Sequence, residues 1–549
     1  MMNLKRTSLG LAVLFVTAGV GVGCTDSGGS CEDTLTCGSG GSAGTAGSGG
    51  AAGAGGNAMG GSAGDAGSAG SGASGGAAGS GATGGTAGMA GAGGTGPVCD
   101  ENSAPGDDAC VIDDQYAVFV SPNGDDTSGD GSQASPFASI AKGITAANTA
   151  GKRLYVCADG GSYDEQVSLD ATNAGVQAWG SFKCSDWSYD NTLKATVAPS
   201  VEGYALSADS VTTDTRLEGF EFDAQSATSA GGNSIAAFVK DSTALTLVSV
   251  KLVAGDGMKG ADGATPVSSF PTLIDLSGNT GEALSLPTLQ GRGGAQKVYG
   301  ACPNGGSTTG GAGGQGDPNL PTAGADGGPA SLGGKGGPTR ANAIDALPSC
   351  GAGGTREGSA APAAAAGTGA ATTGSLSSDV WTPADGTNGS PGQPGGGGGG
   401  GRGGTAGGGG GGGAGGCGGA GGTAGKGGGA SIALLSIDSP VTLTSVELVS
   451  GSAGNGGSGA AGENGMSVGG GGGSEPADGC PGGDGGAGGK GGAGGGGAGG
   501  IAVGLVFSGT QPTLTGESYT AGTAGAAGPG GASGNDGVAG VAQDTLSLN

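Results

Sequence analysis

The sequence predicts an all-β fold in which short units stack on one another and glycine-rich insertions separate them. Residues 234–257 return as residues 431–454, and a fainter third copy spans residues 500–525. Within each copy apolar residues alternate, as is typical of strands with one buried face. A glycine-rich stretch follows every copy at the same point. Because no such unit can bury its apolar face alone, we expect the copies to stack.

The alternation also predicts a bend inside each copy. The first copy has two alternating apolar pairs, Leu245 with Leu247 and Val250 with Leu252. The second copy repeats these pairs as Val441, Leu443, Val446 and Leu448. The slip of one residue between the pairs predicts two short strands that meet at a bend. Polar Lys251 and Glu447 then fall on the outer face.

Composition excludes several functional classes. Glycine accounts for 145 of the 549 residues, while aromatic residues are 3% and prolines number 23, too few for collagen. The formal net charge of -26 argues against a nucleic-acid partner, because phosphates would be repelled. The chain has no histidine, which excludes Ser-His-Asp and Cys-His nucleophilic sites and histidine-bearing metal centres. We therefore predict no catalytic residues.

The first residues indicate export. Lys5 and Arg6 precede an apolar run over residues 9–22, and Gly23 and Cys24 follow it. This order resembles a bacterial lipoprotein signal over residues 1–23, which implies that Cys24 carries the lipid, palmitate included. An ordinary secretory signal is the alternative. No second apolar run is long enough to span a bilayer, so we expect a lipid-anchored protein of the outer membrane or cell surface.

Cysteine usage agrees with export. Removing Cys24 from the 11 cysteines leaves an even set of disulfide candidates, Cys31, Cys37, Cys99, Cys110, Cys157, Cys184, Cys302, Cys350, Cys417 and Cys480. Metal binding is the alternative, but no CxxC pair is present. The simplest expectation pairs each cysteine with its next neighbour. Cys157 and Cys184 are a specific case, because one ends a predicted buried strand and the other follows the next apolar run, about one coil later.

The chain divides by composition into a series of zones. These are the signal (1–23), an anchor segment (24–37), a flexible Gly/Ala/Ser-rich linker (38–115), the first part of the stacked fold (116–265), a glycine-rich insertion (266–430), a further coil (431–455), a second glycine-rich insertion (456–499) and a last coil with a glycine-rich end (500–549).

Short motifs at the start of the stacked fold carry a family resemblance. Residues 119–125 have the sequence FVSPNGD, residues 135–140 SPFASI, residues 154–156 LYV and residues 161–163 GSY. This order resembles bacterial right-handed parallel β-helix proteins that open on Y-V-S-P-x-G-x-D and S-x-P-F. With the lipoprotein signal and the glycine tracts, the chain is similar to the glycine-rich PGRS-family surface lipoproteins of Gram-negative bacteria. The resemblance implies a pectin-lyase-like right-handed parallel β-helix and no common activity.

The glycine tracts have a three-residue period. GGX triplets fill residues 412–423 and 482–493. This period suits extended left-handed helices with three residues per turn. It resembles the polyglycine-II bundles of some glycine-rich antifreeze proteins and phage adhesins. Disordered loops are the alternative, because ordering glycine has a large entropic cost.

Two aspartates form the only metal candidate that we single out. Asp126, Ser128, Asp130 and Gly131 have calcium-loop spacing, but Phe137 stands where the loop pattern requires glutamate. A polar turn near the cap of the fold is the favoured interpretation of Asp126 and Asp130. We predict no cofactor.

Two further clusters are candidates for polysaccharide contact. Glu221, Asp223, Lys240 and Lys251 are outward groups of the kind that lyases use on acidic polysaccharides, and they are equally typical of a solvated sheet face. Trp179, Phe182, Trp187 and Tyr189 surround Cys184. These rings either stack on sugars or cover the end of the core, and we favour the second.

The sequence therefore predicts a non-enzymatic, lipid-anchored surface protein with a structural, adhesive or cell-contact role. A polysaccharide-binding or lyase-type β-helix protein is the alternative. The expected partners are a membrane through the lipid, and a polysaccharide or another surface protein. The two classes differ in whether uronic-acid polymers yield unsaturated products.

Overall fold

A computed structural model of the protein describes residues 99–340, 342, 346–350 and 356–548. The predicted signal, the lipidation at Cys24, and Cys31 and Cys37 lie outside the described residues. Most of the regular secondary structure in the described part is β-strand, which confirms the all-β prediction.

The helices are a 3-10 turn at Ala109–Val111, α1 (Ile140–Ala150) and α2 (Leu273–Leu276). The strands, in chain order, are β1 (Ala117–Val120), β2 (Arg153–Cys157), β3 (Val167–Leu169), β4 (Gln177–Phe182), β5 (Ala195–Val197), β6 (Leu206–Asp209), β7 (Thr215–Glu218), β8 (Phe220–Asp223), β9 (Ser234–Lys240), β10 (Leu245–Val248), β11 (Lys251–Val253), β12 (Val298–Tyr299), β13 (Thr308–Thr309), β14 (Gly374–Ser377), β15 (Val380–Pro383), β16 (Ser431–Ile437), β17 (Thr442–Thr444), β18 (Glu447–Val449), β19 (Ala502–Ser508), β20 (Thr513–Thr515), β21 (Ser518–Thr520) and β22 (Ala542–Ser547).

Three parallel sheets form the frame. Sheet I has the strand order β1-β2-β4-β7-β10-β17-β20, sheet II has β21-β18-β11-β8-β5, and sheet III has β22-β19-β16-β9-β6-β3. From β3 onward the chain passes through sheets III, I and II in a fixed rotation. Each passage adds one strand to each sheet, so strands close in space are far apart in sequence. Two short antiparallel pairs, β12 with β13 and β14 with β15, lie outside this frame.

The sequence repeats are stacked neighbours, as predicted. Strand β9 pairs in parallel with β16, and β16 pairs with β19, with Ser234 opposite Ser431 and Ser431 opposite Ala502. In sheet I, Leu247 lies opposite Leu443, which lies opposite Leu514. The glycine-rich stretch between β11 and β16 therefore leaves the frame and returns to it one strand further along.

The predicted bend lies between sheets I and II, and it has a left-handed residue at its corner. Ser249 has φ 49° and Ser445 has φ 54°, while the equivalent positions in neighbouring passages are Gly219 and Gly516. Backbone hydrogen bonds join each corner to the next strand of sheet I. The Ser249 amide donates to Thr444 O at 2.9 Å, and the Ser445 amide donates to Thr515 O at 2.8 Å. These bonds offset the cost of placing serine in a region that favours glycine.

The three sheets enclose one apolar core. Leu247, Leu252, Leu443 and Leu448 are fully buried in it, which confirms the inward assignment of the repeats. Helix α1 closes the core at the β1 end, and its Ile140, Ile144 and Ala147 are buried. Its first turn is capped by Ser139 and by the Glu165 carboxylate, which accepts the amide hydrogens of Ile140 and Ala141. Each CH₂ group buried in this core stabilises the frame by about 0.8 kcal/mol.

Candidate functional sites on the sheet faces and in the glycine bundle

The candidate calcium residues hold the backbone around α1. The Asp126 carboxylate accepts the amides of Ala138 at 2.8 Å and Ser139 at 3.1 Å, and Asp130 accepts the Ser132 amide at 3.0 Å. Burial raises the pKa of Asp126, but hydrogen bonds from the Ser139 hydroxyl and from the two amides outweigh it and hold the pKa below its ordinary value. Hydrogen bonds from Ser132 lower the pKa of Asp130. The geometry is that of a polar turn next to a helix start.

Within the described residues, one group has three ligand atoms close enough together to hold a metal ion. It comprises Cys99, Asp108 and Cys110. The two cysteines form a disulfide in this structure, so their sulfurs are not thiolate ligands. This group is therefore part of the fold of the segment before β1.

The aromatic residues around Cys184 are packed on the outer face of sheet I. Tyr155 lies opposite Phe119 and Trp179 in the strand register, and all three side chains are buried. Phe182 and Trp187 are buried in the same cluster, and Tyr189 packs against it half-buried. The prediction that these rings cover the end of the core is wrong in location, because they cover the outside of the first strands. Buried rings are not available for stacking on a sugar.

Three of the four predicted charged residues lie together on sheet II. Lys251 is opposite Glu221 in the register, and its Nζ lies 3.0 Å from Glu221 Oε1. Asp223 lies two residues after Glu221 on β8, and Glu447 lies opposite Lys251 on the other neighbouring strand, β18. Lys240 does not join them, because it ends a strand of sheet III and pairs with Asp379 Oδ2 at 2.7 Å. The sequence pattern cannot separate the two sheets, since both alternate in the same way.

The electrostatics of this face favour ion pairing over proton transfer. The hydrogen bond to Glu221 raises the pKa of Lys251, so its ammonium form is stabilised. Burial, and then the Glu221 charge, raise the pKa of Asp223. A lysine that removes a proton from a substrate needs a lowered pKa, which is the opposite shift.

The described residues of the glycine-rich segments between β11 and β16, between β18 and β19 and between β21 and β22 form an ordered assembly, the glycine bundle. Residues 386–404 run antiparallel to residues 407–425. Their amide bonds recur at every third residue, from Gly389 to Gly422 O at 2.9 Å and from Gly392 to Gly419 O at 2.8 Å. These tracts are therefore ordered segments and not disordered loops.

Successive residues of one segment bond to different neighbours. The Gly396 amide donates to Ser359 O at 2.9 Å, the Gly397 amide to Gly328 O at 2.9 Å and the Gly398 amide to Gly413 O at 2.8 Å. Each segment thus contacts several others through its backbone alone. These bonds satisfy amide groups that would otherwise be buried without partners.

Close approach explains why the central segments consist of glycine. A Cβ on Gly400 would lie 1.9 Å from Ala312 O, and one on Gly398 would lie 2.0 Å from Gly483 O. Every residue of the run 395–401 is buried. In the GGX stretch 482–493, the side chains of Asp484 and Lys490 are exposed. The run 395–401 therefore lies inside the bundle, and the stretch 482–493 has one side open to solvent, while the GGX residues Ala414, Cys417 and Ala420 are buried.

Disulfides cross-link the bundle and the start of the frame. Cys157–Cys184 is confirmed, with a Cα–Cα distance of 4.9 Å, and Cys99 pairs with its next neighbour Cys110. The next-neighbour expectation is wrong for the other four cysteines of the described part, which pair as Cys302–Cys417 and Cys350–Cys480. The reason is the folding of the two glycine-rich insertions, which places residues 115 and 130 positions apart side by side.

Removing Cys302–Cys417 is expected to destabilise the bundle. The double variant Cys302→Ser/Cys417→Ser should lose about 2–4 kcal/mol of unfolding free energy, because a long loop is no longer closed in the unfolded chain. Hydrogen exchange of residues 407–425, followed by mass spectrometry, measures the loss. Cys99→Ser/Cys110→Ser is the control, since that bridge closes a separation of 11 residues outside the bundle. Equal exchange of residues 407–425 in the two variants would contradict this prediction.

Sequence reasoning missed Arg402. It lies in a run that is otherwise glycine from residue 395 to residue 404, and its side chain is buried. A lone charged residue within a run that otherwise has no side chains is the signal that identifies it.

Comparisons with known proteins add no relative. The chain matches no protein-family model, no curated protein and no solved structure. No helix among the described residues has the length and apolar character that crossing a membrane requires.

Proposed function

We propose that this chain is a right-handed parallel β-helix carrying a polyglycine-II bundle, and that it acts as a non-enzymatic, lipid-anchored surface protein similar to the PGRS-family lipoproteins. Three parallel sheets visited in rotation support the β-helix. A three-residue period of bonds to several neighbours supports polyglycine-II. Its role is structural or adhesive, in contacts with a matrix or with other cells.

The observation that carries this function is the construction of the bundle. It buries backbone rather than large side chains, and two disulfides cross-link it over separations of 115 and 130 residues. Disulfides persist in oxidising compartments, which suits a protein exported to the cell surface. A rigid body with short outward side chains suits contact with a second surface, and the net charge of -26 keeps it soluble.

The lipid anchor is tested at Cys24. Metabolic labelling with a palmitate analogue should mark the wild-type protein and the control Cys31→Ser equally, because Cys31 follows the proposed cleavage site. Cys24→Ser should carry no label and should leave the membrane fraction. Equal labelling of Cys24→Ser would contradict the anchor.

The adhesive role is tested on cells that make the protein. We expect Cys24→Ser cells to aggregate and attach to surfaces several-fold less than wild-type or Cys31→Ser cells, because unanchored protein cannot transmit force to the cell. External protease should release the protein from intact wild-type cells. Unchanged aggregation and attachment in Cys24→Ser cells would contradict the role.

The second candidate is a polysaccharide-binding or lyase-type protein. The convergence of Glu221, Asp223 and Lys251 on one sheet face favours it, while the raised pKa of Lys251 opposes proton removal. Purified protein is incubated with uronic-acid polymers, and the absorbance of unsaturated products is followed. The lyase hypothesis predicts unsaturated product from the wild-type protein and none from Lys251→Gln. The control Lys259→Gln, which removes a lysine paired with Asp262, should also give product. Wild-type protein without product would contradict it.

A further inference from the structure

Arg402 places a buried positive charge within the glycine bundle. Its side chain is only 6% exposed. The Nε group donates to Pro348 O at 3.0 Å, and Nη1 donates to Gly403 O at 3.0 Å and to Asp478 O at 3.3 Å. Nη2 contacts Cys350 Sγ at 3.8 Å, and sulfur is a weak acceptor. The guanidinium is therefore fixed on one side and weakly bonded on the other.

This charge has no carboxylate in direct contact within the described part of the chain. None of the ion pairs there includes Arg402. Asp478 is close, but its carboxylate accepts the amides of Thr405 and Ala406, both at 2.7 Å. Burial lowers the pKa of Arg402, the Asp478 charge opposes this shift, and the Arg356 charge adds to it. A buried cation of this kind is costly unless an anion compensates it.

A cavity of about 140 Å³ is lined by Arg402 and by Cys350, whose sulfur Nη2 contacts. Arg356, Ser349 and the Cys350–Cys480 disulfide also line it. The Arg356 guanidinium is held there by Pro481 O at 3.1 Å and by Cys350 O. The cavity exceeds the roughly 30 Å³ that one water occupies in the liquid, so it has room for a small polyatomic ion. The Arg402 guanidinium lines this cavity with the charge of Arg356 beside it, and guanidinium groups attract oxyanions by charge and by geometry.

We propose that this cavity binds a small tetrahedral oxyanion, of the sulfate or phosphate class, through Arg402 with Arg356 beside it. The ion accepts hydrogen bonds from Arg402 Nη2 and balances the buried charge. It would join the segment containing Pro348 to the one containing Asp478, next to the disulfide that also links them. This inference does not depend on the proposed surface function, because it concerns the folded chain alone.

Thermal unfolding of the full chain tests the proposal. Sodium sulfate and sodium phosphate are titrated at constant ionic strength, with sodium chloride as the balancing salt. An ion that binds only the folded state should raise Tm with a saturable dependence on its concentration. Arg402→Lys keeps a charge but loses the planar fork, and it should weaken the apparent affinity at least tenfold. The control Arg292→Lys changes an exposed arginine of the same bundle and should leave the affinity unchanged.

A second measurement covers the case in which Arg402→Lys does not fold. Wild-type crystals soaked in selenate should show an anomalous peak between Arg402 and Arg356. The proposal would be overturned if Tm rose equally with the concentrations of chloride and of sulfate. A selenate peak elsewhere, with none in the cavity, would also overturn it. If Arg402 serves only to bond the carbonyls of the two segments, Tm will not depend on the anion.

Discussion

Replacing Gly400 by alanine should disrupt the glycine bundle. The added Cβ would lie 1.9 Å from Ala312 O and 2.4 Å from Ala312 C. Both atoms belong to a backbone that is itself bonded to neighbouring segments, so neither can move alone. We expect a loss of about 3 kcal/mol or more in unfolding free energy, at or beyond the upper end for an overpacked site.

The matched control is Gly471→Ala in the same bundle. The nearest atom to a Cβ at this position is Asp484 Oδ1 at 3.8 Å, which is ordinary contact. Alanine also restricts the unfolded chain more than glycine does, so we expect a gain of about 0.4–1 kcal/mol. Urea unfolding and hydrogen exchange of residues 386–425 measure both variants. If the two substitutions shift stability in the same direction by similar amounts, glycine is not required for close approach.

Replacing Leu448 by aspartate should unfold the stacked sheets. Leu448 is fully buried and lies opposite Leu252 on one side and Tyr519 on the other. An unpaired buried carboxylate costs several kcal/mol, and a typical domain has only about 5–15 kcal/mol of stability in total. We expect loss of the cooperative transition in circular dichroism at room temperature.

Glu447→Gln is the neighbouring control for this substitution. Glu447 is half-buried on the outer face, opposite Lys251. Glutamine keeps the shape of the side chain and removes one charge beside the Lys251–Glu221 ion pair, so we expect a change below about 1 kcal/mol. A loss as large as that of Leu448→Asp would show that the inward and outward assignments are reversed.

Period and repetition account for the parts of this fold that could be predicted. Alternation at Leu245 and Leu247 identifies a strand, and the return of the pattern at Leu443 identifies its stacked neighbour. Both signals are local or directly repeated. The Cys157–Cys184 bridge followed for the same reason, since one coil separates its ends.

The pairing inside the bundle could not be predicted in this way. A GGX triplet indicates that a segment has close neighbours, but every triplet resembles every other, so the identity of the neighbour is not encoded locally. Cys302 could therefore not be assigned to Cys417. Lys240 shows the same difficulty, because its partner Asp379 lies on the hairpin of β14 and β15 within the insertion.

The uniformity of the bundle has a consequence for the accuracy of its assembly. Sliding one central segment past another by three residues would restore nearly the same amide bonds, because glycine follows glycine along runs such as 395–401. Alternative alignments would then differ little in energy, and the chain would sample several of them. Two covalent links at unique positions, Cys302–Cys417 and Cys350–Cys480, are compatible with only one alignment of the segments they join. Their main contribution is therefore the choice of a single arrangement among near-equivalent ones, beyond any gain in stability.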